Sequence, residues 1–379
     1  MTLWNRIEQY FKCRYMPWLE KVFGREELSP QDVDFSTVKR ILVIRQHDML
    51  GDFILATPVL RALRQKFPQA HIGVVVRNYY TGVVSPHPFV DEAVVFYEHG
   101  IEWTPRRLRT FWRQLRNGWD LTIVLNTVSH SFTSDLIAHF SRARYVLGSA
   151  QRVFLGCTRN FFYNLIAPYD EAHMKHQSER NLDIVRHVGV DTDDSSEVMQ
   201  MLPAERQAAR NKLAAAGVEE GKLLIGMHVG AGKVMNRWPV SHFAELARRL
   251  HDDFDAQILL FWGANEAGLA EQFLEKINFE PIKGSPGGLR ELSAYFANCD
   301  MLICNDTGVM HIGAAVGVPL LAIFGPTDPK EWKPIGKNFI ALRGENGKIE
   351  NVTVDQAYAA LVSAFQSELV SLRASAAAY

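Results

Sequence analysis

A carboxylate at position 52 closes the run Ile41-Leu-Val-Ile-Arg-Gln-His-Asp-Met-Leu-Gly-Asp52, which reads as a strand, a turn and a helix opening at Phe53. Loops at the carboxyl ends of parallel strands face the ligand crevice of open α/β sheets, so the position suits chemistry. Two roles compete for Asp52. It can cap the helix, as aspartate commonly does, or it can take a proton from a hydroxyl, a task in which a carboxylate within hydrogen-bond reach gives about 100- to 10,000-fold. A second stretch, Cys304-Asn-Asp306-Thr307-Gly308-Val-Met-His311-Ile-Gly-Ala-Ala-Val-Gly317-Val-Pro319, runs from a strand through a Thr-Gly turn straight into a helix. Phe324-Gly-Pro-Thr-Asp-Pro329 then places a Gly-Pro turn after the next strand. Backbone amides at such a helix start, reinforced by the helix dipole, form a seat for pyrophosphate that calls for no metal. His311 fits either a ligand-facing role or that of a hydrogen-bonded core histidine.

Smaller pieces point the same way. Val229-Gly-Ala-Gly232 follows a strand, Lys233 and Arg237-Trp-Pro239 come next, and Phe261-Trp-Gly-Ala-Asn-Glu266 ends the following strand. Lys233 and Arg237 can meet phosphate charge. Glu266 can accept hydrogen bonds from ribose hydroxyls, or it can cap the helix after it. Between positions 101 and 165 stand nine arginines, among them Arg106, Arg109 and Arg113, against the three acids Glu102, Asp120 and Asp135. Their planar forks suit carboxylates and phosphates, so an anionic acceptor is one explanation and a solvated helix face the other.

The elements that must carry these residues alternate apolar strand and amphipathic helix, the rhythm of parallel sheets. Strands are expected at Ile41–Ile44, Ile72–Val76, Ala93–Phe96 and Leu121–Leu125, with helices at Phe53–Lys66, Pro105–Arg116 and Ser134–Phe140. The second half restarts with strands at Leu223–Met227, Gln257–Phe261, Met301–Cys304 and Leu320–Phe324, and helices at Ser241–His251 and Glu266–Ile277. With 379 residues, two domains facing a cleft follow, joined by the polar stretch between Gly189 and Pro203. Asp191 and Asp193 form a DxD there, read as solvated linker rather than a metal triplet. The four cysteines show no metal-ligand or disulfide spacing, and a net charge of -1 argues against a general polyanion binder. No nucleic-acid motif is found, and no apolar run spans a bilayer, so a cytoplasmic protein is expected. In the first 38 residues Trp4, Ile7, Phe11, Tyr15, Trp18 and Val22 form an apolar stripe flanked by Arg6, Lys12, Arg14, Lys21 and Arg25, with Pro17 expected to kink it. That segment fits peripheral contact with an anionic membrane face, or packing on its own domain or a partner subunit.

The strings Gly51-Asp52, Thr57-Pro58, Leu60-Arg-Ala-Leu-Arg64 and Phe67-Pro68 are similar to the opening of glycosyltransferase family nine, the ADP-heptose:lipopolysaccharide heptosyltransferases. The Asp306-Thr307-Gly308 string resembles that family's nucleotide-sugar signature. The resemblance covers roughly Lys39 to Lys337 and is thin between about Asn78 and Leu202. It implies an α/β chain of two Rossmann-like doubly wound domains, the glycosyltransferase B-type fold. The divisions would be an extension over 1–38, an acceptor domain over 39–195, a nucleotide-sugar domain over 196–350, and a C-terminal helix over 351–379 that can return toward the first domain. It further implies Asp52 as general base of one inverting displacement. The donor would be held by Lys233, Arg237, Glu266, Asp306, Thr307, Gly308 and His311, and the acceptor by Arg106, Arg109 and Arg113. The donor implied is ADP-heptose, the acceptor the anionic lipopolysaccharide inner core, with no metal or other cofactor. The family usually has a lysine where this chain has Asn236, so Lys233 or Arg237 would supply that cation. Two alternatives fit the same residues: a member using another nucleotide sugar or acceptor, such as a protein or another surface glycan, and a catalytically silent nucleotide-sugar-binding relative.

Overall fold

The computed structural model describes residues 14–47, 49–285 and 287–376, with side chains through residue 365. The chain divides after Ser195 into two compact units.

In the first unit, helix α1 (14–23) precedes a sheet built from β1 (Arg40–Ile44), β2 (His71–Arg77), β3 (Glu92–Phe96), β4 (Leu121–Val124), β5 (Tyr145–Ser149) and β6 (Leu165–Ala167). The helices between and after these strands are α2 (Leu50–Ile54), α3 (Thr57–Lys66), α4 (Thr81–Val84), α5 (Pro105–Leu115), α6 (Phe132–Ser141) and α7 (Gln177–Arg186). The second unit contains β7 (Leu224–His228), β8 (Gln257–Phe261), β9 (Ile282–Lys283), β10 (Met301–Asn305), β11 (Leu320–Phe324) and β12 (Phe339–Arg343). Its helices are α8 (Pro203–Ala215), α9 (Val240–Phe254), α10 (Ala267–Leu274), α11 (Leu289–Phe296), α12 (Gly308–Ala315), α13 (Pro329–Trp332) and α14 (Val354–Ala376).

All pairings are parallel, and the two sheets share one topology. The first runs β3-β2-β1-β4-β5-β6, and the second, read from its other edge, runs β9-β8-β7-β10-β11-β12. Each is therefore the doubly wound Rossmann order, whose direction reverses between the first and fourth strands. Helices cover both faces, which is why β1, β4, β7, β10 and β11 are near-continuous apolar runs rather than alternating ones. The reversal point is where loops from neighbouring strands splay apart. In the first unit it lies between β1 and β4, in the second between β7 and β10.

Two expectations need correction. The single helix over Phe53–Lys66 is two, because Pro58 has no amide to continue a helical ladder and instead occupies the first turn of α3. The Thr57 hydroxyl bridges the break by donating to the Ile54 carbonyl at 2.7 Å. The N-terminal helix runs through Pro17 without interruption over 14–23, anchored by Met16 and Leu19, which pack in the core cluster that also holds Phe161 and Phe162. Its expected stripe is the outward face: Tyr15, Trp18 and Val22 are 50%, 57% and 52% exposed. Trp4, Arg6, Ile7, Phe11 and Lys12 lie outside the described residues. Over 354–365 the C-terminal helix packs on α9 of its own unit. Phe365 meets Phe254, Tyr358 donates to Asp253 at 2.6 Å and Asp355 pairs with Arg249 at 2.6 Å.

Candidate active site

In the first unit β1 ends at Ile44, and the chain turns through Arg45 and Gln46 into α2 at the sheet's reversal point. Asp52 is the third residue of α2 and half-buried. Its Oδ2 accepts the Met49 amide at 3.1 Å, so the capping role exists. It does not exclude a second role, since an ionised carboxylate offers about four acceptor positions.

The loop carrying Asp52 is held by residues that the sequence reading did not single out. Arg77, at the end of β2, donates from Nε to the Gln46 carbonyl at 2.8 Å and from Nη2 to the His47 carbonyl at 2.6 Å. Arg45 donates to the Asp52 carbonyl at 3.2 Å, and the Gln46 amide reaches Ser134 Oγ at 3.0 Å. Two guanidinium groups thus fix the backbone on either side of the turn. A signal existed in the quoted run for Arg45, but Arg77 is adjacent only through the pairing of β1 with β2.

The arginines expected to bind acceptor lie on α5. Arg106, Arg109 and Arg113 are exposed on one stripe, while Phe111 and Leu115 point into the core. Asn78 joins the loop before α5 to the loop after β2 through Glu102 at 2.9 Å, so the start of α5 lies at the carboxyl rim of the sheet. Arg106 is therefore on the same rim as the Asp52 loop, and Arg113 is about 10 Å further down the helix. Arg107 is used locally, bonding the Glu102 carbonyl and covering the Tyr97 ring.

In the second unit a cavity of about 360 Å³ opens at the carboxyl ends of β7, β8 and β10, lined by His228, Arg237, Glu266 and Thr307 among others. Three of the expected donor residues thus share one hollow, and His228 joins them without having been foreseen. Burial holds the His228 imidazole below the usual histidine range, against the pull of the Glu266 carboxylate. Glu266 accepts the Gly263 amide at 2.8 Å and stands 3.6 Å from the Arg237 guanidinium. A Cβ at position 230 would overlap that carboxylate, so any larger residue there would displace the Glu266 side chain from its place against the turn.

Trp238 is the anchor of the loop that carries Lys233 and Arg237. Fully buried, it donates its amide to Asn305 Oδ1 at 2.9 Å and its indole N–H to the Val352 carbonyl at 2.8 Å. Removing such a side chain typically costs about 3–5 kcal/mol. The Asn305 side-chain amide also bonds the Val229 and Gly230 carbonyls at 3.2 and 3.0 Å, tying the end of β10 to the glycine turn.

Beyond Asn305, Thr307 is extended and its side chain makes no capping bond, which leaves the first-turn amides of α12 to an incoming acceptor. Gly308 opens the helix. Asp306 is buried beneath this turn, where Oδ2 accepts the Asn236 amide at 3.1 Å and the Thr327 hydroxyl. Burial raises its carboxyl above the usual range, opposed by the Thr327 bond and by the charges of His311 and Lys233. Asn236 is thus a partner of Asp306, while Lys233 is exposed. His311 is buried, its Nδ1 2.9 Å from Glu197. Asp191, of the DxD, is engaged by Arg186 at 2.9 Å. Among the described residues no helix is long and apolar enough to cross a membrane.

The profile of glycosyltransferase family 9 (heptosyltransferase) matches residues 108–360. The lipooligosaccharide heptosyltransferase 2 of Haemophilus influenzae is 27% identical over 315 residues, 80% of this chain and 88% of that protein. The structure of Escherichia coli ADP-heptose lps heptosyltransferase II is similar with a TM-score of 0.72 and 25% identity, covering 87% of this chain and 99% of that one. A family 9 glycosyltransferase from Veillonella parvula shares the fold with a TM-score of 0.75 at 24% identity, over 87% and 97% of the two chains. With two matching Rossmann sheets, a hollow of about 360 Å³ at the reversal point of the second and the family profile across most of its length, this chain belongs to glycosyltransferase family 9 and is a glycosyltransferase.

Proposed function

We propose that the enzyme transfers a heptose from ADP-heptose to the inner core of lipopolysaccharide in one inverting displacement. The observation that carries the reading is that Asp52 and the Thr307-Gly308 amides each leave the sheet of their own unit at its reversal point, where such folds bind ligand. The relatives point to the sugar: the H. influenzae protein is a lipooligosaccharide heptosyltransferase, and the E. coli structure is that of an ADP-heptose enzyme.

In this reading Glu266 accepts the ribose hydroxyls, and the diphosphate is seated on the amides at 307 and 308. Lys233 and Arg237 offset its charge, and the chemistry calls for no metal. Asp52 takes the proton of the acceptor hydroxyl as that oxygen attacks the anomeric carbon, and the bond from that carbon to the diphosphate oxygen breaks. Arg106 and Arg109, at the rim end of α5, receive acceptor carboxylates or phosphates, with Arg113 further along the stripe. Incubating the protein with ADP-heptose and a deacylated inner-core acceptor tests this. A product with the anomeric configuration opposite to the donor's is expected, and retention, or transfer only from a uridine or guanosine donor, overturns it.

The exposed Tyr15, Trp18 and Val22 favour an added role for α1. We propose that this helix docks a cytoplasmic enzyme on the anionic inner face of the membrane in which its acceptor is anchored.

A further inference from the structure

His311 sits in the first turn of α12, one helical turn below the amides that begin at Thr307. Its partner comes from far away in sequence. Glu197 lies 114 residues earlier, on the irregular segment that leads into α8. That segment is fixed: the Met199 amide donates to the Ala315 carbonyl at 2.9 Å, at the far end of α12, and Arg290 donates to the Gln200 carbonyl at 2.7 Å. The Glu197 and His311 side chains are 2% and 4% exposed, with Oε1 2.9 Å from Nδ1. The other carboxylate oxygen, Oε2, is buried and has no hydrogen-bond partner.

A carboxylate held this far from water, with one oxygen unanswered, is costly unless an opposite charge neutralises it. The ring against Oε1 can be that charge, because a carboxylate on Nδ1 favours the imidazolium over the neutral imidazole. A proton kept on His311 puts positive charge in the first turn of α12, adding to the positive end of the helix dipole. Near that turn the Asp306 carboxyl feels the charges of both His311 and Lys233.

We propose that Glu197 is a positioning residue for glycosyl transfer: it holds His311 as an imidazolium whose charge stabilises the diphosphate of the departing nucleotide. This rests on the reading that the start of α12 seats the donor diphosphate. Glu197 touches no substrate and acts only through the ring. The contribution grows as the sugar–oxygen bond breaks and negative charge collects on the diphosphate, so it bears on turnover as well as on nucleotide binding.

The test compares full-length wild type with Glu197→Gln, which keeps the shape and removes the charge. ADP affinity is expected to fall about tenfold while adenosine, which has no phosphate, binds within twofold of wild type. The turnover number is expected to fall about 10- to 100-fold with the acceptor KM unchanged. Equal losses for ADP and adenosine, or no loss for either, overturn the proposal. Because the substitution can also unsettle the fold, the charge state is read in the wild-type protein by NMR of ring-labelled histidine, with the His311 signals identified by their loss in His311→Asn. Two protonated ring nitrogens at pH 7.5 are expected, and a neutral ring overturns the proposal. Wild-type protein that binds no ADP would instead sink the reading of the donor seat, and the ring spectrum would still decide the state of the pair.

Discussion

The side-chain amide of Asn236 donates to the buried carboxylate of Asp306 at 3.1 Å and to its backbone carbonyl at 3.2 Å. A residue next to the hollow at the ends of β7, β8 and β10 is thereby committed to holding an acid rather than to projecting into that hollow. Asn236→Asp would set two carboxylates against each other in a site with little water. A loss of about 2–3 kcal/mol is expected, lowering the melting temperature by roughly 5–10 °C at pH 8. A change under about 1 °C would mean that the contact carries no weight.

Asp306 itself should cost stability at neutral pH. Its carboxyl is raised in the folded protein, first by burial, so the folded state binds the proton more tightly than the unfolded chain does. Stability contributed by the protonated form is present at low pH and falls away as pH rises from the ordinary aspartate range through the raised value. Asp306→Asn keeps an oxygen for Thr327 and Asn236 and removes that cost. It should melt higher than wild type at pH 7.5, with the advantage gone below about pH 4. An advantage that persists unchanged at low pH would place its origin elsewhere.

The nucleotide preference has a direct readout. Ligands that bind only the folded state raise its stability by about 2.7 kcal/mol at one hundred times the dissociation constant. ADP is expected to raise the melting temperature at concentrations where UDP and GDP do not. A shift with UDP and none with ADP would exclude an adenine nucleotide as the donor's carrier.

Trp18 and Val22 project from α1, while Met16 and Leu19 hold the helix to the core. Trp18→Glu with Val22→Glu should therefore leave melting nearly unchanged, since exposed substitutions usually stay within about 0.5 kcal/mol. Flotation with vesicles rich in anionic lipid should drop at least several-fold. Equal flotation of variant and wild type would remove the helix from any membrane role.

The parts of the site that could be read from the sequence are those built from consecutive residues at a strand end: Gly51-Asp52 after β1, the glycine turn after β7, Glu266 after β8 and Asp306-Thr307-Gly308 after β10. Strand, turn and helix start are encoded together there, so residue order alone places them. What escaped is what two distant segments make jointly. Arg77 reaches the Asp52 loop only because β2 pairs with β1, and Glu197 meets His311 only because its segment is laid along α12. The orientation of α1 escaped for another reason. Both of its faces carry apolar residues, and spacing cannot tell which of Met16 and Trp18 finds a partner until Phe161 and Phe162 are in place. Helix α7 was also missed, its polar sequence concealing that Asn181 is buried through hydrogen bonding, its side-chain amide donating to the Gln177 carbonyl at 2.9 Å, rather than by apolar character.

The proton acceptor is the centre of the account, and Asp52→Asn tests it with the least disturbance, because asparagine keeps an oxygen for the Met49 amide. The measurement is the turnover number with ADP-heptose and inner-core acceptor both saturating, alongside ADP affinity. The account predicts a fall of about 100-fold or more with ADP binding intact. Turnover within twofold of wild type would contradict it.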